Sequence, residues 1–561
     1  MVKRLISFLG REINGLHEAA YLLGVFAILS QVLALLRDRL LVHTFGAGTA
    51  LDLYYAAFRI PDFLFVIIAS FFSASIIIPF LSVKVKESQV SGREFLSVIF
   101  SVFLISIIFA SVVTFVLAPY IVPQLFPGFS EEPLRSEIIL MTRILLLSPI
   151  FLGLSNLFAS VTQLYNRFFI YGISPLLYNI GIIVGVVFLA PKMGMSGLVW
   201  GVAIGAVLHF LVQVPFVIKQ GMFPRLVLSF KRFREISGVM MVAFPRTLAL
   251  STQEISRFFL IFLASLMGVG SISVFSLSYN LQSVPLSIIG VSYSLAAFPS
   301  LAALFVSGER AKFVELVRTT ARYIIFFSLP LIALFVVLRA HIVRVILGSG
   351  EFNWQDTRLT AAALALFVIS LAAQGMILIF TRARYAAGNT RTPFYINIIS
   401  VGVTIISAFF LTYVFGRFEG FRTLIETAFK VRGISGTAVL MLPLSLSIAS
   451  ILSCFAHIYT FDRDYDQGGV GRSLTKAGLE LALVAILMGF TTYLTLNLTD
   501  GLFLLDSFFG VLTHGLIAGL MGIFAGIILL SIIGSQELKE VVAALRRRFW
   551  DTPVIGPDST V

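Results

Sequence analysis

One cysteine, Cys454, in 561 residues leaves no internal disulfide. Six scattered histidines and that single thiol supply no spaced set of metal ligands. Charge is scarce too: 12% of residues are Asp, Glu, Lys or Arg, against about 25% in an ordinary soluble domain. A chain this long with so little charge could not cover itself toward water, so lipid must solvate it. That excludes a soluble enzyme, a disordered protein and a secreted disulfide scaffold. No Gly-rich phosphate loop occurs, so transport driven by ATP within this chain is not expected. No short apolar core with a small-residue cleavage site precedes the first apolar stretch, and no cleavable signal peptide is expected. Acidic residues are outnumbered 28 to 41, which gives a net charge of +13. In a lipid-solvated chain this excess reads as loop Lys and Arg at the membrane surface, and no nucleic-acid partner is expected.

What is present is apolar. Hydrophobic residues make up 58% of the chain, with 55 Phe, and the mean hydropathy is +0.99. A membrane-crossing helix needs about 20 apolar residues. Fourteen stretches qualify, at 19–44, 51–83, 95–121, 137–164, 170–190, 195–218, 238–266, 271–305, 321–338, 359–382, 394–415, 434–460, 476–497 and 508–533. A barrel would show short alternating segments instead, so the expected fold is all-α and polytopic. Lys and Arg concentrate in alternate loops, from Lys84, Lys86 and Arg93 through Lys219, Arg225 and Lys231 to Arg546, Arg547 and Arg548. That bias places both termini in the cytoplasm. One loop breaks it: Arg417, Arg422, Lys430 and Arg432 fall on the other side, with Phe418, Phe421, Ile425 and Phe429 at helical spacing. This loop reads as a helix lying on the membrane surface. Leu538, Val541, Leu545 and Phe549 mark a similar C-terminal helix.

The chain also repeats itself. Pro79 and Pro299 are 220 residues apart in similar surroundings, as are Tyr165 and Tyr385; Asn179 and Asn397 are 218 apart, Pro61 and Pro285 224. Such an offset covers six spans, an even number, so the two copies run parallel in the membrane. The expected organisation is an N-terminal lobe at 1–219, a basic linker at 220–235, a C-terminal lobe at 236–460, two further helices at 461–535 and an amphipathic segment at 536–561. Duplicated lobes around a central pathway suit alternating access.

A charge at the bilayer centre costs about 2.5–3.5 kcal/mol on insertion scales, so such residues usually face a bundle interior or a watery cavity. The first stretch carries Gln31, Arg37, Asp38 and Arg39. The second carries Asp52, Arg59 and Asp62, and the seventh Arg246, Gln253, Glu254 and Arg257. Spacings of seven and four put Arg246, Gln253 and Arg257 on one stripe, and a spacing of seven puts Asp52 and Arg59 on one face. Two readings stay open. The arginines could line a shared cavity and bind an anion, since the planar guanidinium fork suits phosphate. Alternatively each pairs with its local acid, as Arg59–Asp62 and Glu254–Arg257 can at i,i+3, and fixes helix packing. The substrate-binding candidates are Arg37, Arg59, Arg246, Arg257, Gln31 and Gln253, with Asp38, Asp52, Asp62 and Glu254 as supporting acids. Arg143 fits interfacial snorkelling. No nucleophile or metal ligand converges on the acids, so no enzyme is expected. Glycines at 181 and 185, at 197, 201 and 205, and at 515, 519, 522 and 526 read as close helix contacts.

The stretch LLRDRLLVHTFGAGTALDLYYAAFRIPDFL at 35–64 resembles the N-terminal signature of the MurJ/MviN family, part of the group of multidrug, oligosaccharidyl-lipid and polysaccharide exporters. Asn166–Phe168, the Pro175 to Asn179 pattern, Thr390–Phe394, and Pro285, Gly290 and Pro299 extend the likeness over nearly the whole chain. The resemblance implies a flippase for lipid II, the undecaprenyl-pyrophosphate-linked peptidoglycan precursor, in the bacterial cytoplasmic membrane. It implies a cationic cavity between lobes for the headgroup, with Arg37 and Arg59 as ligands positioned by Asp38 and Asp52. It further implies a lipid tail along the last two helices and coupling to sodium or the membrane potential, with no cofactor. Membrane lipids and peptidoglycan-synthesis proteins are the implied partners. The sequence departs from the family at Gln31, Phe65, Ser70, Tyr279 and Asn280, where charged residues are usual. An exporter of another polyprenyl-linked oligosaccharide, or a paralogue without transport, is the alternative.

Overall fold

A computed structural model of the chain describes residues 16–227, 237–466 and 469–549. Helix accounts for 87% of it, and no strand occurs among the described residues. Backbone in hydrocarbon must satisfy its own hydrogen bonds, which leaves helices as the economical solution. Many Ser and Thr side chains follow the same rule by donating to the carbonyl four residues earlier: Ser101 to Ser97 at 2.7 Å, Thr404 to Ser400 at 2.8 Å and Ser407 to Val403 at 2.6 Å.

Ten helices among the described residues are long and apolar enough to cross a membrane, and the broken pair Trp354–Val368 and Leu371–Ala386 would make eleven. The chain is a polytopic helical membrane protein. The remaining expected stretches are also helical. Leu16–Phe45 and Ser237–Ser265 are long helices of 30 and 29 residues. The second stretch, expected as one span, is instead in pieces: Thr49–Ala57, Arg59–Ala69, a short turn at Ser70–Phe72, and Ala74–Glu87. Pro61 explains the first break. It sits in the opening turn of Arg59–Ala69, where a missing N–H costs nothing. Ser73, extended, starts the last piece, its carbonyl accepting from Ile76 at 2.9 Å and Ile77 at 3.1 Å. Both segments expected as amphipathic helices are helical, as Glu419–Ala428 and Gln536–Phe549.

The chain forms two compact units. The first comprises 1–284, 346–366 and 389–449, the second 285–345, 367–388 and 450–561. In the first, Phe72, Ile77, Leu81, Phe103, Phe158 and Val161 are centred in one buried apolar cluster. In the second, Phe313, Val317, Ile324, Phe380, Phe461 and Val484 do the same. The glycine stripes close helix contacts as the spacing implied. A Cβ on Gly185 would lie 2.7 Å from Gly201 Cα, and one on Gly515 3.1 Å from the His341 side chain. The C-terminal helix is clasped to its unit: Arg322 pairs with Glu537 and Tyr323 hydrogen-bonds Glu540.

Two outcomes follow. Gly185→Val should lower the melting temperature of the solubilised protein, since overpacking costs about 1–3 kcal/mol. Gly402→Ala, whose added Cβ meets nothing within 4 Å, should not lower it in the same thermal-shift assay. For Glu537, burial raises the carboxyl pKa, but a backbone N–H, Ser535 and Arg322 outweigh it and hold the group below its ordinary 4.5. A depressed carboxyl stabilises fully above its ordinary value and loses that contribution as pH falls through its folded value. Hydrogen exchange in 536–543 should therefore be insensitive to pH near neutrality, once corrected for intrinsic rates, and accelerate below pH 4.5.

Candidate functional site

The charged residues of the first, second and seventh stretches meet inside the first unit. Arg37 donates from Nε and Nη2 to Asp38 Oδ1, at 2.9 and 2.7 Å, and from Nη1 to Asn179 Oδ1 at 3.0 Å. Asn280 completes the shell by donating to Asp38 Oδ2 at 3.1 Å. Asp38 is only 3% exposed, so all of its charge is answered by protein. The neutral amide of Asn280 adds no charge beside the Arg37–Asp38 pair. Gln31 is half-buried on the same helix.

Asp52 and Arg59, expected on one face, have no hydrogen-bond partner in common. Asp52 instead accepts from Gly270 N at 2.7 Å, Ser273 N at 2.7 Å and Ser273 Oγ at 2.5 Å. These are first-turn N–H groups of the helix Ser271–Leu286, which have no partner within their own helix. A carboxylate there also meets the positive end of the helix dipole. Asp52 therefore caps a helix 218 residues away in sequence. It positions the site and lies outside its exchangeable charge.

Arg59 pairs with Asp62 at 3.3 Å and donates to Tyr55 O at 3.2 Å. Arg257 pairs with Glu254 and lies over the Tyr279 ring, 5.3 Å from its centre. Asp62 is within electrostatic reach of both arginines. Gln253, Glu254 and Arg257 line a cavity of about 320 Å³ with Phe65, Ser73 and Asn156. The opposite faces of the same two helices, through Ile60, Phe63, Ile255 and Phe258, line an apolar groove of about 600 Å³. The Arg246 side chain lies outside the described residues. Arg143 donates to Phe115 O at 3.1 Å and lies over that ring, 4.6 Å from its centre.

Tyrosines join the two arginine centres. Tyr54 and Tyr178 both interact electrostatically with Arg37 and with Asp62. Tyr55 is buried, and its hydroxyl has no hydrogen-bond partner in the described structure. Sequence reasoning missed these roles, and those of Ser273 and Gly270, because a tyrosine or serine in an apolar span looks like ordinary packing. The local pairing expected from the sequence is present, since each described arginine of the cluster has a neighbouring acid, and of the three only Arg257 lines the cavity. Arg37, Arg59 and Arg257 balance Asp38, Asp62 and Glu254, so the cluster is electroneutral.

An apolar helical bundle enclosing paired charges around a cavity defines a membrane transporter rather than a membrane anchor or an intramembrane enzyme. The family model for "Lipid II flippase MurJ" matches residues 41–513. This chain belongs to that family, whose members are transporters and not enzymes. Among similar proteins, a lipid II flippase MurJ from Burkholderia cenocepacia is 27% identical over 399 residues, covering 70% of this chain and 77% of its own. A probable lipid II flippase MurJ from Buchnera aphidicola is 28% identical over 406 residues with the same coverage, and one from Thermotoga maritima 26% over 390. Among solved structures, a lipid II flippase MurJ in an inward closed conformation matches with a TM-score of 0.73 and 23% identity, over 93% of this chain and 100% of that one. An inward-facing multidrug transporter of the MATE family and MOP superfamily matches with a TM-score of 0.61 and 13% identity, over 80% and 96%.

Replacing Asp52 with Ala removes the cap and strands buried N–H groups. Asp52→Ala should destabilise by about 2–4 kcal/mol, since hydrogen bonds to a charged group are worth about 1.5–3 kcal/mol and buried orphans add cost. Asp62→Ala, at a side chain 42% exposed, should cost under about 1 kcal/mol. Denaturation of the purified variants compares the two.

Proposed function

We propose that this protein translocates lipid II across the bacterial cytoplasmic membrane by alternating access, with Arg37, Arg59 and Arg257 gripping the diphosphate. The observation that carries this reading is a set of three acid-paired arginines, Arg37, Arg59 and Arg257, the last of which lines a cavity with Gln253 and Glu254, in a chain of this family. Guanidinium forks bind phosphate through parallel charge-assisted hydrogen bonds. Arg246, Gln31 and Gln253 belong to the same binding set, Asp38 and Glu254 hold the arginines between cycles, and Asp62 is the acid that yields. The organisation that suits this is fourteen spans, two parallel lobes at 1–219 and 236–460 joined by the linker 220–235, the extra helices of 461–535 beside the lipid tail, and the segment 536–561 with both termini in the cytoplasm. Rocking of the lobes moves the headgroup while the tail stays in lipid. Sodium or the membrane potential supplies the drive, and peptidoglycan-synthesis proteins receive the product.

In cells depleted of their own lipid II flippase, Arg37→Ala/Arg59→Ala should fail to sustain growth although present in the membrane at normal level, and Arg143→Gln should sustain it. Each lost guanidinium should weaken lipid II binding by about tenfold or more. Purified protein should bind lipid II more tightly than undecaprenyl phosphate or an O-antigen-type precursor. Full growth of a well-expressed double variant would overturn the site.

A further inference from the structure

The surface helix Glu419–Ala428 takes no part in the charge cluster, yet its segment carries the loop cations that break the charge bias of the chain. Its inner side is firmly anchored. Glu426 is 6% exposed and accepts from Thr437 Oγ1 at 2.7 Å and from Arg422 Nε at 3.0 Å. Burial raises the Glu426 carboxyl pKa, but those two hydrogen bonds and the Arg422 charge outweigh it, leaving the group below the usual carboxylate range and ionised. Phe421 meets the ring of buried Phe415 at 6.4 Å, and Val431 is fully buried. Arg358 donates to Lys430 O from the helix Trp354–Val368, at 2.9 Å from Nε.

The outer side is different. Phe418 is 57% and Leu424 64% exposed, with Tyr413 and Trp354 also open. Arg417, Lys430 and Arg432 are exposed and form no direct ion pair among the described residues, although Arg432 lies within electrostatic reach of Glu426. The segment thus holds an anchored inner face, two exposed apolar side chains and three exposed cations without a direct ion pair, of which Arg417 and Lys430 face no described acid. Aromatic residues of this kind favour the depth of the lipid headgroups, and a basic amphipathic helix lies in that plane with its apolar residues in the acyl boundary.

We infer that this segment is a docking surface for the phosphate headgroups of an anionic phospholipid leaflet, with Arg417, Lys430 and Arg432 as the contacts and Phe418 and Leu424 as the insertion. Charge complementarity selects the partner: a neutral bilayer would accept Phe418 and Leu424 but gain nothing from three unpaired cations. The surface is independent of the cargo and of the arginine cluster. It fixes the outer end of the helix Arg391–Arg417 against the bilayer, so lipid charge acts on the helix whose Ile405 lines the apolar groove.

The test uses the full chain in nanodiscs of phosphatidylcholine alone or mixed with phosphatidylglycerol. Amide hydrogen exchange in 417–432 should slow about tenfold in the anionic discs, and high salt should remove the difference, because each cation at such a surface contributes about a fivefold effect. Arg417→Gln/Lys430→Gln/Arg432→Gln should abolish the difference while retaining the wild-type melting temperature. Equal exchange in both discs, or an anionic effect that persists in high salt, overturns the inference. The salt titration of the wild-type protein decides the matter even if the variant folds poorly.

Discussion

The carboxylate of Asp52 receives three hydrogen bonds, two from backbone N–H groups and one from a hydroxyl, at the start of the helix Ser271–Leu286. In water, that helix end could take its hydrogen bonds from solvent, and the carboxylate could stay hydrated. Inside a chain solvated by lipid neither option exists. A buried charge and a buried row of orphan donors each cost several kcal/mol, and together they cancel. The same constraint recurs wherever this chain buries a charge in its first unit. Asp38 is answered by Arg37 and Asn280, and Glu254 by Arg257. The charges settle which helices must meet, while apolar packing and the glycine contacts settle how closely.

This explains why some features were legible in the sequence and others were not. Helix existence follows from hydropathy alone, because lipid leaves the backbone no alternative. The pairs Arg59–Asp62 and Glu254–Arg257 are local, so an i,i+3 count finds them. The glycines at 185 and 201 announce close contacts by spacing. The break at Phe58 was harder. Pro61 was visible, but whether a proline bends a helix or opens a new one depends on its tertiary setting, and here it begins a new one. The role of Asp52 could not be read from its neighbours, because its partners lie more than 200 residues away and two of the three are backbone atoms with no side-chain signature. Tyr54, Tyr55 and Tyr178 were hidden for a related reason. A tyrosine in an apolar span carries no pattern that separates a packed ring from one placed between two arginine centres.

The acid-paired arginines fit the same account. Among the described side chains of the cluster, Arg37, Arg59 and Arg257 stand beside Asp38, Asp62 and Glu254, so these three pairs add no net charge in a medium that penalises one.

Balance also sets how such a site can grip an anion. A diphosphate brings its own negative charge, so it can be bound only if acids give way. Asp38 cannot, since it is buried and held by both Arg37 and Asn280. Asp62 can: its side chain is 42% exposed and its contact with Arg59 is 3.3 Å, longer than the contacts around Asp38. Arg59 and Arg257 both lie within reach of Asp62, so one outward movement of this acid would weaken the negative charge facing both, with Arg257 still beside Glu254. Under the proposed function, Arg37 would be the fixed end of the grip and Arg59 and Arg257 the exchangeable end. An acid that leaves as the anion arrives and returns as it departs keeps the site near neutrality at both ends of a cycle, which allows the headgroup to be released as readily as it is bound.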